Sequence, residues 1–301
     1  MKLLSFITSE GISYGVKTEQ GVLDVKASAQ AASLSYSKDI EELIHKGEEG
    51  KQEIEAILAA SPIFISEEEI QYAPVVQNTG KIICVGANYK AHAEEANFAV
   101  PEYPIYFAKF ANSLAGHQEE VVLPDFVNQG DYEVELVAVI GERTHQVSKE
   151  EALEKVYGYA TGNDLSARKE QFRSNQWMYG KAIDGFAPIG PYLVTADEVA
   201  DPQNLTLSCW VNGERRQHAN TKDMIFPIAE IISDLSQIMT LEPGDLIYTG
   251  TPEGVILGME EKVWLKAGDE IICEVEGIGR LENRLVKVKS KKQKNVEPVS
   301  L

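Results

Sequence analysis

Glu133 and Glu135 stand two apart at the head of the run "DYEVELVAVIGE", residues 131 to 142. In a strand, successive side chains point to opposite faces, so the two carboxylates share a face with Val137 and Val139, while Val134, Leu136, Ala138 and Ile140 line the other. Both downstream faces are apolar, which predicts a strand packed on each side, where an unneutralised carboxylate is costly. Charges at a fraying strand start, solvated or bridged to Arg or Lys, fit this pattern as well as a hard divalent cation does. Mg²⁺ and Mn²⁺ prefer oxygen ligands, and a site of two or three carboxylates leaves positions open for a chelating substrate. Asp164 is the candidate third acid, because "YGYATGND" has the pattern of a second strand ending in an acid, with a helix expected to start just beyond it. Taken alone, Asp164 would be an N-cap.

The segment "GANYKAHAEEANF", residues 86 to 98, supplies His92 and, three residues on, Glu95. That spacing puts both on one helical face, where the carboxylate raises the basicity of the imidazole and suits the pair to polarise a water. On its own such a pair is more often plain surface. The chain lacks G-x-S-x-G, H-E-x-x-H and G-x-G-x-x-G, and "YGKA" around Lys181 lacks the upstream glycine and the following Ser or Thr of a phosphate loop.

The elements that must position these residues begin with three short runs in residues 2 to 25, broken at Glu10-Gly11 and Gln20-Gly21, the pattern of an antiparallel meander. Ile40, Leu43 and Ile44, then Ile54, Ile57 and Leu58, repeat at helical spacing around Gly47 and Gly50. The polar "SEEEIQYAPV" ends at residue 75 and separates a small α/β unit, 1–75, from a larger one, 80–289, followed by a Lys-rich tail, 290–301. The larger unit holds many strand-like runs ("KIICVG", "PIYFAK", "LTLSCWVNG", "DLIYTGTP", "DEIICEVEGIG") and two helical patterns, at 148–158 and 223–239. The fold class expected is α+β, rich in β, without the regular alternation of a doubly wound sheet.

With 28 Lys and Arg against 47 Asp and Glu, the formal charge of −19 disfavours nucleic acid as a partner. The basic run Lys287, Lys289, Lys291, Lys292 and Lys294 is expected to be a solvated tail. Cys84, Cys209 and Cys273 form no C-x-x-C pair and point to reduced thiols, hence a cytoplasmic protein with no thiolate metal site. "LLSFI" after Lys2 is too short for a signal peptide, and no stretch is long enough for a membrane helix.

The runs "KIICVGANYKAHAEE", "DYEVELVAVIG", "GNDLSAR", "YGKAIDGFAPIGP", "VNGERRQ", "DMIFPIAEII" and "LEPGDLIYTGTPEGV", in that order, resemble the fumarylacetoacetate hydrolase superfamily over roughly residues 80 to 287. The resemblance implies a mixed β-sandwich roll with a small N-terminal α/β domain, a homodimer, and Mg²⁺ or Mn²⁺ held by Glu133, Glu135 and Asp164. It further implies a His92–Glu95 catalytic dyad on a lid, Lys181 at the metal-bound oxygens with Arg168 and Gln171 near them, and Thr251 on the substrate carboxylate. Asn97-Phe98 departs from the methionine-containing continuation usual in that family.

Such a site stabilises the enolate of a 2-oxo acid. Acylpyruvate hydrolysis, with fumarylpyruvate as example, is the expectation, since the dyad provides for a water nucleophile. Oxaloacetate decarboxylation and hydroxyheptadienedioate isomerisation use the same device. A non-catalytic module stabilised by its metal is the reading from another class, and chelation separates it from an enzyme.

Overall fold

The structure is a computed structural model that describes residues 1–288. The tail expected at 290–301, and Lys289 before it, lie outside the described residues. The meander forms as expected, with strands Lys2–Thr8, Gly11–Thr18 and Gly21–Asp24. The helical spacing after it becomes two helices, Ile40–Lys46 and Glu48–Ala60, parted at Gly47, whose φ of 55° is left-handed. A further helix, Val25–Ala32, starts where the Asp24 carboxylate accepts from the Ala27 N–H at 3.0 Å.

These strands join a 12-stranded mixed sheet. From the meander the sheet runs through Ala187–Thr195, Val156–Asn163, Val134–Ile140, Leu246–Tyr248 and Ile82–Gly86 to Ile105–Lys109. A five-stranded sheet holds Glu214–Asn220, Thr206–Val211, Glu270–Val275, Gly279–Lys287 and Glu120–Leu123. The architecture is mixed α+β and strand-rich.

Strand Val134–Ile140 is buried at all seven positions. Val134, Leu136, Ala138 and Ile140 enter a core shared with Leu207, Cys209, Ile271 and Leu281 of the five-stranded sheet, whereas Val137 and Val139 enter one shared with Leu43, Ile54 and Ile57 of the N-terminal helices. The alternation expected from the sequence therefore separates two cores across one strand. Each fully buried aliphatic side chain contributes about 1.5–3 kcal/mol, which makes this strand a rigid base for the two glutamates at its head.

The two helices expected in the larger unit are shorter than their patterns. Residues 148–158 give an α-helix only over Lys149–Ala152 and a 3₁₀ turn over Leu153–Lys155, after which Val156 is drawn into the sheet opposite Ile140. The helix expected from 223 begins at Ile228, because Pro227 keeps Phe226 out of helical conformation and itself takes the N-cap position. Its Ile228, Ile231, Ile232 and Leu235 face the core.

Candidate active site

Strand register brings the three acids together. Val134 pairs with Asn163 and Glu135 with Gly162, so the start of one strand lies beside the end of the other, and the Asp164 N–H donates to the Glu133 carbonyl at 2.9 Å. Asp164 caps no helix: a bridge at Ser166–Ala167 follows it, and the short helix Arg168–Gln171 starts four residues on. Ligand oxygens of Glu133, Glu135 and Asp164 all lie within 4.8 Å of one another, and all three residues are buried.

Cations surround two of the three. Lys181 Nζ bridges Glu133 Oε2 at 2.6 Å and Asp164 Oδ2 at 2.7 Å. Arg168 places Nη2 2.6 Å from Glu133 Oε1 and Nε 2.8 Å from Asp131 Oδ2, and its Nη1 donates to Gln171 Oε1 at 3.0 Å. Lys109 Nζ lies 2.6 Å from Asp164 Oδ1 while donating to the carbonyls of Leu165 and Phe186. Burial pushes the Glu133 carboxyl up, but Arg168 and then Lys181 outweigh it and hold the group well below the usual carboxylate range. Burial pulls Lys181 down, and Asp164 with Glu133 more than restores it. Lys109 stays below the usual lysine value because burial outweighs Asp164.

Glu135 differs. Its Oε2 accepts only the Gly250 N–H, at 2.8 Å, and burial, with the charges of Asp164 and Glu133 adding to it, raises its carboxyl well above the usual range. A buried cluster of oxygen donors with one carboxylate lacking a cationic partner fits a hard divalent cation.

His92 is buried rather than surface-exposed. Its Nδ1 lies 2.9 Å from Glu95 Oε1, and Glu95 Oε2 accepts the Gly254 N–H at 2.9 Å. Gly254 has a φ of 98°, and a Cβ there would lie 2.1 Å from the Arg216 carbonyl oxygen, so glycine is required for this loop to approach Glu95. The carrying helix, Lys90–Glu95, ends at left-handed Asn97, φ 57°, with the Phe98 N–H donating to the Ala93 carbonyl at 2.8 Å. Glu133, Glu135, His92, Arg168, Gln171, Lys181 and Thr251 all line one small cavity, walled otherwise by Val85, Gly86, Ala87, Phe98, Phe107 and Trp177. Thr251 Oγ1 accepts from Gln217 Nε2 at 2.9 Å, leaving its hydroxyl proton to be donated. Glu95 and Asp164 stand behind this lining as partners of His92 and Lys181.

Residues 81–286 match the family model described as fumarylacetoacetate (FAA) hydrolase C-terminal. The chain belongs to the fumarylacetoacetate hydrolase family. A human relative named oxaloacetate tautomerase FAHD2A, mitochondrial, is 39% identical over 95% of this chain and 92% of its own. Among solved structures, fumarylacetoacetate hydrolase from psychrophilic Exiguobacterium antarcticum superposes with a TM-score of 0.83 at 34% identity, over 96% of this chain and 100% of that one. Maleylpyruvate hydrolase from Sphingobium sp. SYK-6, in complex with manganese(II) and pyruvate, gives 0.79 at 31%, with the same coverage.

Within this family frame, sequence reasoning missed four contributors. Lys109 ended a strand-like run, and Asp131 was only the first acid of its run. Asp131 accepts from the Ile256 and Leu257 N–H groups at 2.9 and 3.0 Å as well as from Arg168, so it ties the loop after Gly254 to the cation that holds Glu133. Gln217 fixes Thr251 and accepts the Val134 N–H at 3.0 Å. Trp177 closes the cavity against Gly86, where a Cβ would lie 2.4 Å from the indole. The "QWM" directly before "YGKA" was the available signal for Trp177; nothing local marks the others.

Proposed function

We propose that this protein is a divalent-metal-dependent enzyme that moves a proton on a short 2-oxo acid, with keto–enol interconversion of oxaloacetate as its first reaction. The observation that carries this reading is one small cavity lined by Glu133, Glu135, Lys181 and the free edge of a Glu95-held His92. The tautomerase name borne by the human relative supports it.

Glu133, Glu135 and Asp164 would hold Mg²⁺ or Mn²⁺, which when bound would supply Lewis-acid polarisation of the 2-oxo carbonyl. His92 is the base: with Nδ1 committed to Glu95, its Nε2 takes the proton from the carbon beside the carbonyl, and Glu95 stabilises the imidazolium that results. The Lys181 ammonium offers its charge to the oxygen on which negative charge develops. Arg168, pinned to Asp131, keeps Glu133 ionised, Gln171 orients Arg168, and the Thr251 hydroxyl donates to the substrate carboxylate. Return of the proton to oxygen rather than carbon completes the interconversion.

Acylpyruvate hydrolysis, the expectation from sequence, is the second reading. The same His92–Glu95 pair can activate water, and the maleylpyruvate hydrolase relative carries pyruvate, the size of a product that such a cleavage leaves. Decarboxylation and diene isomerisation draw on the same residues. The proposal keeps the division at 75 to 80, with every site side chain in the second unit, and a homodimer in the cytoplasm. The unlinked Cys209 and Cys273, Sγ atoms 4.0 Å apart, suit a reducing compartment.

The test is a spectrophotometric panel of oxaloacetate enol, acetylpyruvate, fumarylpyruvate and a hydroxydienedioate, each with metal-stripped protein and again with Mg²⁺ or Mn²⁺ restored. Metal-restored loss of the oxaloacetate enol signal is expected. Turnover of none, in protein that binds the metal by calorimetry, would sink the enzyme reading in favour of a module stabilised by its metal.

A further inference from the structure

We propose that Phe98 sets the length of the 2-oxo acid that this site accepts, an inference that rests on the reading of the cavity as a 2-oxo-acid site. The cavity is lined by two kinds of side chain. In its charged and polar lining Arg168, Glu133 and Lys181 form one connected group, with Glu135 and His92 beside them. The remainder is apolar: Val85, Ala87, Phe107, Trp177 and Phe98.

Most of that apolar wall is fixed. Val85 and Phe107 belong to paired strands, and Trp177 is pressed onto the Gly86 backbone and packs 5.3 Å from the Phe107 ring centroid. Phe98 is the exception. It follows the His92 helix, and its ring stacks on Trp177 at 6.3 Å between centroids and 27° between planes, with Phe172 at 6.2 Å on another side. Phe98 therefore joins the segment that carries the base to the wall that limits the ligand.

Phe98 lines the same small cavity as the polar groups, so a carbon chain that grows away from them meets its ring. Phe98 is a specificity-determining residue rather than a catalytic one. The ligand class is short 2-oxo acids, and the smaller side chain of Phe98→Ala opens the site to longer ones.

Binding of a homologous series, 2-oxobutanoate to 2-oxooctanoate, is measured by calorimetry on Mn²⁺-loaded wild type, Phe98→Leu and Phe98→Ala. In wild type, affinity is expected to fall about tenfold or more along the series. In Phe98→Ala the fall should disappear, with Phe98→Leu between the two. An equal fall in wild type and Phe98→Ala would overturn the proposal, as would affinity independent of length in wild type. If Mn²⁺-loaded wild type binds no member, the reading of the cavity fails and takes the proposal with it. A merely structural role for Phe98 would shift all affinities together and leave their ratio unchanged.

Discussion

Glu135 is the acid whose charge has no cation to meet it, and Glu135→Gln isolates the consequence. In the metal-free protein its folded-state carboxyl is raised well above the ordinary 4.5, first by burial and then by Asp164 and Glu133. A raised carboxyl reverses the usual acid-denaturation sign: the folded state keeps a proton that the unfolded chain has lost. Its stabilising proton is thus fully in place below pH 4.5, and stability drains away as pH rises from there to the folded value. Each pH unit in that window costs wild type about 1.4 kcal/mol, and a glutamine, which never ionises, is spared it. At roughly 2–4 °C per kcal/mol for a domain of this order of size, the melting curves should separate by about 3–6 °C per pH unit, with the variant the more stable. The assay is thermal unfolding of both proteins in chelator from pH 4.5 to 8, repeated with excess Mn²⁺. Added metal should reverse the order, because wild type alone keeps the full ligand set and gains the binding free energy. Parallel pH dependence of the two metal-free proteins would refute the assignment of Glu135 as the uncompensated charge.

Two further substitutions probe the neighbours. His92→Gln should lower turnover about 10²- to 10⁴-fold while leaving Mn²⁺ affinity by calorimetry unchanged, since His92 contacts Glu95 and not the acids; retention of more than a tenth of the activity would remove it as the base. Arg168→Met takes the buried guanidinium from both Asp131 and Glu133, and urea unfolding should show a loss of about 3–5 kcal/mol. A loss below about 1 kcal/mol would mean that the backbone N–H groups on Asp131 and the Lys181 ammonium on Glu133 suffice without it.

Local pattern carried some features of this molecule and failed on others for one physical reason. Alternation along 134–140 is a property of the strand itself, so the two faces and the shared face of Glu133 and Glu135 were legible without knowing any neighbour. The i, i+3 spacing of His92 and Glu95 is likewise internal to one helix, and the contact is there at 2.9 Å. Burial of His92 was not legible, nor was the Gly254 N–H that holds Glu95, which comes from 159 residues away. The helical pattern at 148–158 misled for the same cause: Val156 satisfies helix spacing, but pairing with Ile140 across the sheet wins over local preference. Charge pairing is the extreme case. Among the described residues, Asp131, Glu133 and Asp164 meet Lys109, Lys181 and Arg168 across up to 55 positions of chain, Lys109 to Asp164 being the longest of these ion pairs, while Glu135 meets none of them. Four potential negative charges against three positive ones leave one negative charge over, and the hydrogen-bond pattern puts it on Glu135. A run of carboxylates in the sequence indicates that a cation is wanted; only the strand register shows which carboxylate still wants it.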